Sequence, residues 1–407
     1  MAQGFASSGE LILANQDTAS FDGAGRLRIS YLRMFGEYKM LNNVFPSILL
    51  EQTGTATFTN NNNRVTMSVT SGQYGIITSK QYHPYFNGCS QNMEFTFTAL
   101  GSATNVEKSF GYISSNSSAP YNSTLDGFRI FKSTADVYSF QVWRNGTNTL
   151  NLTRSNWTDK LDGTGASGMT INWDNFNVFK LDFLYLGGTA VRCYVMYNRE
   201  WHTVFTHFYA NTDTEPIFRS PNKPIRYEIR STTGTGSMDF ICAEVGSEGG
   251  ERSQGTTITV AAPNAGITPL ATGTTYALCG IRKASTQRDI YAEVKTFEGV
   301  ISTNDFINLE LRLNPTVAGT FTYSALTSTP FETATGAITN TVTGGTVIDN
   351  TYFSLNMNNS KMVDSVNARL NSTLNDTMDA IVLCATPALG SNNVKVTGSL
   401  KAMWYNQ

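Results

Sequence analysis

The sequence predicts an all-β protein made of two antiparallel β-sandwich domains, and three observations support this prediction. Charged residues form only 15 % of the chain, and Asn, Thr, Ser and Gly supply much of its polarity, as they do on the exposed faces and turns of β structure. Apolar and polar residues alternate over many short segments, which is the periodicity of a strand with one buried face. Finally, 407 residues are too many for one ordinary domain.

The alternation is clearest in four segments of the first 250 residues. We expect strands at residues 64–70, 92–98, 178–185 and 225–230. Turn-forming residues separate such segments, and Asn145-Gly146 is a typical pair for a two-residue hairpin turn. Many short strands divided by turns favour antiparallel sandwiches over alternating β-α units.

A polar, glycine-rich segment at residues 246–255 interrupts the strand pattern. We therefore divide the chain into an N-terminal arm (residues 1–25), a first sandwich (26–250) and a second sandwich (251–407).

The second sandwich shows its own series of expected elements. Strands are predicted at residues 274–282, 289–296 and 306–313. Gly344-Gly345 predicts a hairpin within residues 339–348, and residues 361–370 predict one short helix.

Composition also excludes several classes of protein. The formal net charge is -2 and no Lys/Arg cluster occurs, so we expect no nucleic-acid partner. No apolar run reaches the ~18 residues of a membrane helix, so we expect no membrane partner. The first ten residues lack the pattern of a secretory signal, and the five cysteines are widely spaced. These features predict reduced thiols and synthesis in a cytoplasm.

Residues suited to catalysis are scarce. The chain has three histidines and none of the common catalytic motifs. A glycoside hydrolase needs two carboxylates about 5–10 Å apart, whereas the acidic residues of the strand segments occur singly. They are Glu94, Asp182, Glu228, Asp239 and Glu244. The sequence therefore predicts no enzyme, no catalytic residues and no cofactor.

The most distinctive loop is Leu161-Asp162-Gly163-Thr164-Gly165. Asp159 and Asp162 supply oxygen atoms of the kind that bind Ca²⁺, although the full set of a calcium loop is missing. Asx-turns explain the same residues, so a turn and a Ca²⁺ site are both retained.

Several aromatic residues are candidates for contact with a glycan or another subunit. Packing in a sandwich core is the competing explanation, because the alternation directs many of these rings inward. The candidates are Tyr82, Tyr85, Trp143, Trp157 and Trp201.

The first domain also resembles a known family. The matching motifs lie at residues 21–30, 34–39, 157–170, 179–187, 219–229 and 241–250. Together they resemble the virion structural proteins of tailed phages and of some large DNA viruses, over roughly residues 20–250.

The resemblance implies a non-enzymatic virion protein, located on the capsid surface or in the tail. Assembly and host attachment would be its roles, other virion proteins its partners, and a homo-oligomer such as a trimer its assembly. The first sandwich would be concanavalin/lectin-like and the second jelly-roll-like. The alternative function is a glycan-binding adhesin that recognises the host surface.

Overall fold

The computed structural model describes residues 3–5, 11–13, 32–115, 124–185, 190–248, 255–263, 265–301, 306–354, 359–363, 368–388 and 394–405. The structure is all-β, as predicted. The 3-10 turns described in full are Arg154–Asn156 and Ser285–Gln287, and Ala368 also has 3-10 geometry. No helix among the described residues is long and apolar enough to cross a membrane.

The chain forms two compact units, divided between residues 252 and 253 except that residues 80–82 group with the second unit. The strands of the first unit are β1 (Gln3–Phe5), β2 (Leu11–Leu13), β3 (Leu32–Lys39), β4 (Leu50–Gly54), β5 (Thr57–Asn61), β6 (Arg64–Val69), β7 (Tyr74–Ser79), β8 (Gln91–Thr98), β9 (Val106–Ser114), β10 (Asp126–Lys132), β11 (Tyr138–Arg144), β12 (Thr147–Thr153), β13 (Asn177–Leu184), β14 (Ala190–Tyr197), β15 (Glu200–Phe208), β16 (Ile225–Ser231) and β17 (Gly236–Glu248). The four strands predicted in this region are confirmed. β1 and β2 pair with each other, and the rest of the predicted arm (residues 1–25) lies outside the described residues.

Two antiparallel sheets form the first sandwich. One has seven strands in the order β12-β11-β10-β9-β16-β7-β4; the other has eight, in the order β15-β14-β13-β8-β17-β6-β5 with β3 added beside β17. Aromatic rings from the two sheets meet in the core: the ring centroids of Phe97 in β8 and Phe110 in β9 are 4.6 Å apart. Both rings are fully buried, so the apolar half of the alternation supplies the core.

The same alternation places polar side chains on the outer face of the eight-stranded sheet. In β8, Met93, Phe95 and Phe97 are fully buried, while Glu94 between them points the other way and is partly exposed. The core-facing residues of β8 therefore fix which residues of the strand point to the outer face of the sheet.

The second unit is also built from antiparallel β-sheets. Its strands are β18 (Thr256–Ala261), β19 (Ile267–Leu270), β20 (Tyr276–Lys283), β21 (Ala292–Ile301), β22 (Phe306–Leu313), β23 (Thr316–Val317), β24 (Ser324–Ala325), β25 (Phe331–Thr335), β26 (Val342–Thr343), β27 (Thr346–Ser354), β28 (Asn359–Met362), β29 (Ala380–Pro387) and β30 (Val394–Trp404). A five-stranded sheet contains β18, β30, β21, β28 and β19, and a six-stranded sheet has the order β24-β25-β20-β29-β22-β27. The three strands predicted here are confirmed.

One local prediction in the second unit is wrong. The segments on either side of Gly344-Gly345 do not form a hairpin, because β26 pairs with β23 and β27 pairs with β22. These more distant strands offer a pairing that the local sequence does not reveal. Of the helix predicted at residues 361–370, Lys361 and Met362 belong to β28 instead, and residues 364–367 lie outside the described residues.

Candidate functional site

A row of charged and polar side chains crosses the outer face of the eight-stranded sheet. Glu244 in β17 lies directly opposite Glu37 in β3 on one side and Glu94 in β8 on the other. Lys180 in β13 continues the row beside Glu94, and Tyr194 in β14 follows. Directly opposed residues of antiparallel strands have Cβ atoms about 4.5–5.5 Å apart, so neighbours in this outer row interact.

Lys180 connects the outer row to an aromatic ring. Its ammonium nitrogen lies 3.6 Å from a carboxylate oxygen of Glu94 and 4.0 Å from the ring centroid of Trp201 in β15. The Lys180 side chain is only 3 % exposed, so its contacts with both groups are largely shielded from water. A carboxylate, an ammonium group and an indole are thus held side by side by three strands.

A cavity of about 300 Å³ opens beside this group. Its lining includes Glu37, Glu94, Thr96, Cys242 and Glu244. Burial raises the pKa of Glu244, and the nearby Glu94 and Glu37 carboxylates raise it further, while Lys180 acts in the opposite direction. The carboxyl of Glu244 therefore holds its proton more readily than an isolated glutamic acid, next to the Lys180-paired Glu94.

The structure divides the predicted aromatic candidates into two groups. Tyr85 and Trp157 are 1 % and 2 % exposed and belong to the hydrophobic core, so their rings are not available to a ligand. Tyr82 is also buried, in the short segment that groups with the second unit. For these three residues, packing is the role that the structure supports.

Trp143 and Trp201 are the candidates that retain partial exposure. The Trp143 indole donates a hydrogen bond to the Gln141 side chain at 3.1 Å and lies 5.5 Å from the Arg129 guanidinium. Trp201 adjoins the outer row through Lys180, as described above. Contact with a glycan or another subunit stays a prediction for these two rings.

The two candidate Ca²⁺ ligands bind their own loop. The Asp159 carboxylate accepts hydrogen bonds from the backbone N–H groups of Leu161 and Ser167. Asp162 accepts from the backbone and hydroxyl of Thr164, and these hydrogen bonds lower the pKa of Asp162 below its usual value. Among the residues with described positions, no group of three or more His, Cys, Asp or Glu side chains is arranged to hold a metal ion. Asx-turns therefore account for this loop.

The sequence missed the outer row. Glu94 and Glu244 are 150 positions apart, so their proximity is not evident from the sequence, and Glu37 and Lys180 were not among the predicted site residues. Strand alternation places each on a polar face, but only the register of β3, β17, β8 and β13 puts them side by side.

Comparison with known proteins concerns the fold. No protein-family model and no curated protein matches the chain. Among solved structures, the chain is similar to the carbohydrate recognition domain of Emp47p (12 % identity, TM-score 0.36), which covers 54 % of this chain and 97 % of its own length. It is also similar to a β-glucanase of Bacillus licheniformis, with 11 % identity and a TM-score of 0.36 over 52 % of this chain and 97 % of the glucanase. The metal-free exoplasmic/lumenal domain of VIP36 is similar too, with 13 % identity and a TM-score of 0.36 over 54 % of this chain and 95 % of that domain.

Proposed function

We propose that the chain is a virion surface protein whose first unit binds glycans without catalysing a reaction. The observation that carries the glycan-binding part is the arrangement of Trp201, Lys180 and Glu94 beside the cavity of the outer row. A sugar ring has an apolar face that packs on an aromatic ring and hydroxyl groups that bond charged side chains. The three side chains offer both kinds of contact within one small area.

The virion part of the proposal rests on the motifs of residues 20–250 that resemble phage structural proteins. Capsid or tail proteins would be its partners, a homo-oligomer its assembly, and the infecting particle its location. Mass spectrometry of purified particles tests this directly. Absence of the chain from intact particles would contradict the proposal, whatever its glycan affinity.

A glycan array with the full chain tests the binding function. Trp201→Ala should weaken binding by about two- to tenfold, because aromatic contacts contribute about 0.5–1.5 kcal/mol beyond area burial. Phe208→Ala is the matched control, since Phe208 lies in the same strand, is 54 % exposed and does not belong to the outer row. Equal binding by wild type and Trp201→Ala, or equal loss in both variants, would refute the assigned surface.

One observation favours a second candidate function, glycoside hydrolysis. Glu94 and Glu244 lie opposite each other, and their environments differ: Lys180 forms an ion pair with Glu94, while burial raises the pKa of Glu244. An acid and a carboxylate close together are what glycosidases require. Release of reducing ends by the wild type, and its loss in Glu244→Gln and Glu94→Gln, would establish this function over simple binding.

A further inference from the structure

A second cavity lies in the first unit, between the β11–β12 turn and the segment that precedes β16. Its volume is about 450 Å³, within the ~300–1,000 Å³ typical of small-molecule sites. Arg144, Asn145 and Thr147 line it on the turn side, and Glu215 and Arg219 line it on the other. None of these residues belongs to the outer row.

A buried ion pair fixes the two walls relative to each other. One Asp126 carboxylate oxygen accepts hydrogen bonds from the backbone N–H groups of Asn145 and Arg219, each at 3.1 Å. The other lies 2.6 Å from the Lys223 ammonium, and both side chains are 1 % exposed. Burial would raise the pKa of Asp126, but Lys223 and these hydrogen bonds hold it below its usual value. The cavity is thus shaped before any ligand arrives, which lowers the entropic cost of binding.

The two arginines of the cavity differ in their contacts. Arg144 lies 2.6 Å from a carboxylate oxygen of Glu215 and donates a hydrogen bond to the Pro216 carbonyl at 3.0 Å. The exposed Arg219 guanidinium makes no ion pair or hydrogen bond within the described part of the chain. The lining contains two guanidinium groups and one carboxylate, so it carries a net positive charge.

We propose that this cavity binds an acidic saccharide through the carboxylate of a uronic acid residue. Arg219 supplies a planar pair of N–H donors that matches a carboxylate in bidentate geometry. Asn145, Thr147 and Glu215 present amide, hydroxyl and carboxylate groups suited to sugar hydroxyls. Because the site is separate from the outer row, the binding proposed at one of them can be refuted without refuting the binding proposed at the other.

Isothermal titration with two oligosaccharides of equal length tests the proposal. The first is an oligoglucuronate, and the second is its carboxyl-reduced, neutral form. Arg219→Ala should weaken oligoglucuronate binding by about 10- to 100-fold, as expected for loss of a charged hydrogen-bonding group, and Arg219→Lys should recover part of it. The neutral oligosaccharide should bind weakly and respond little to either change.

One variant separates this site from general charge effects. Arg199→Ala removes another exposed arginine, in the β14–β15 turn, and should leave oligoglucuronate binding unchanged. The proposal is overturned if wild type fails to bind oligoglucuronate, if Arg199→Ala weakens binding as much as Arg219→Ala, or if a sulfated oligoglucose binds as tightly as the carboxylate form.

Discussion

Removal of the Lys223 ammonium is the most direct test of how the first unit is held together. In Lys223→Met the Asp126 carboxylate, which is 1 % exposed in the wild type, loses a cation at 2.6 Å. Breaking a buried ion pair by deleting one partner costs about 3–5 kcal/mol. The backbone hydrogen bonds from Asn145 and Arg219 still stabilise the Asp126 charge, so we expect a loss of about 3 kcal/mol, at the low end of that range.

Urea unfolding followed by tryptophan fluorescence measures this loss. Four of the five tryptophans lie in the first unit (Trp143, Trp157, Trp173 and Trp201), so the signal reports mainly on that unit. Lys39→Met is the matched control: its ion pair with Glu37 is exposed, and such pairs contribute little, so the unfolding midpoint should hardly move.

The pH dependence of the loss identifies its cause. The folded pKa of Asp126 lies below its ordinary value, so the paired carboxylate stabilises the wild type above pH ~3.9, and this stability is lost as the pH falls through the folded pKa. Without Lys223 the buried carboxyl should take up a proton at higher pH. The difference in unfolding free energy between variant and wild type should therefore decrease as the pH falls. The double variant Lys223→Met/Asp126→Asn should be more stable at neutral pH than Lys223→Met. A loss of unfolding free energy under about 1 kcal/mol, or a difference from wild type that does not change with pH, would refute the reasoning.

Three further predictions concern other parts of the chain. Burial lowers the pKa of Lys283 to about 7, so between pH 7 and 10 the unfolded chain binds more protons than the folded chain. Thermal melts should therefore show that the second unit gains stability over that range, and Lys283→Met should abolish the gain. Gly127→Ala should lower the free energy of unfolding in urea by about 1–3 kcal/mol, because Gly127 has φ of 129° and an added Cβ would lie 2.3 Å from the Tyr112 carbonyl oxygen. A loss below about 0.5 kcal/mol, which is the scale of an ordinary surface substitution, would contradict this. A thiol reagent should label no more than two cysteines of the native protein. Labelling of a third would show that a buried cysteine is accessible in the native state and would contradict this prediction. The three that should stay unlabelled are Cys193, Cys279 and Cys384.

Local sequence determined most of the strands. The segments at 92–98 and 178–185 form strands as predicted, because a period of two depends only on neighbouring positions, although Lys180 and Asp182 on the polar face are buried rather than solvated. Asn145 and Gly146 adopt φ of 45° and 82° and connect paired strands, since this turn type needs residues that tolerate positive φ. The low proportion of charged residues and the scarcity of helical periodicity were sufficient for the all-β prediction.

Strand pairing was decided by the tertiary structure. Glu94 and Glu244 share the outer row because β8 and β17 pair in one register, and a shift of one residue would turn each side chain to the other face. The same long-range pairing separates β26 from β27, although two glycines between them look like a hairpin turn. The sequence by itself determined the strand segments and, through their period of two, which residues of a strand share a face. Only the tertiary structure decided which of the solvent-facing residues meet, because burial of the apolar face selects the register and the polar groups follow it.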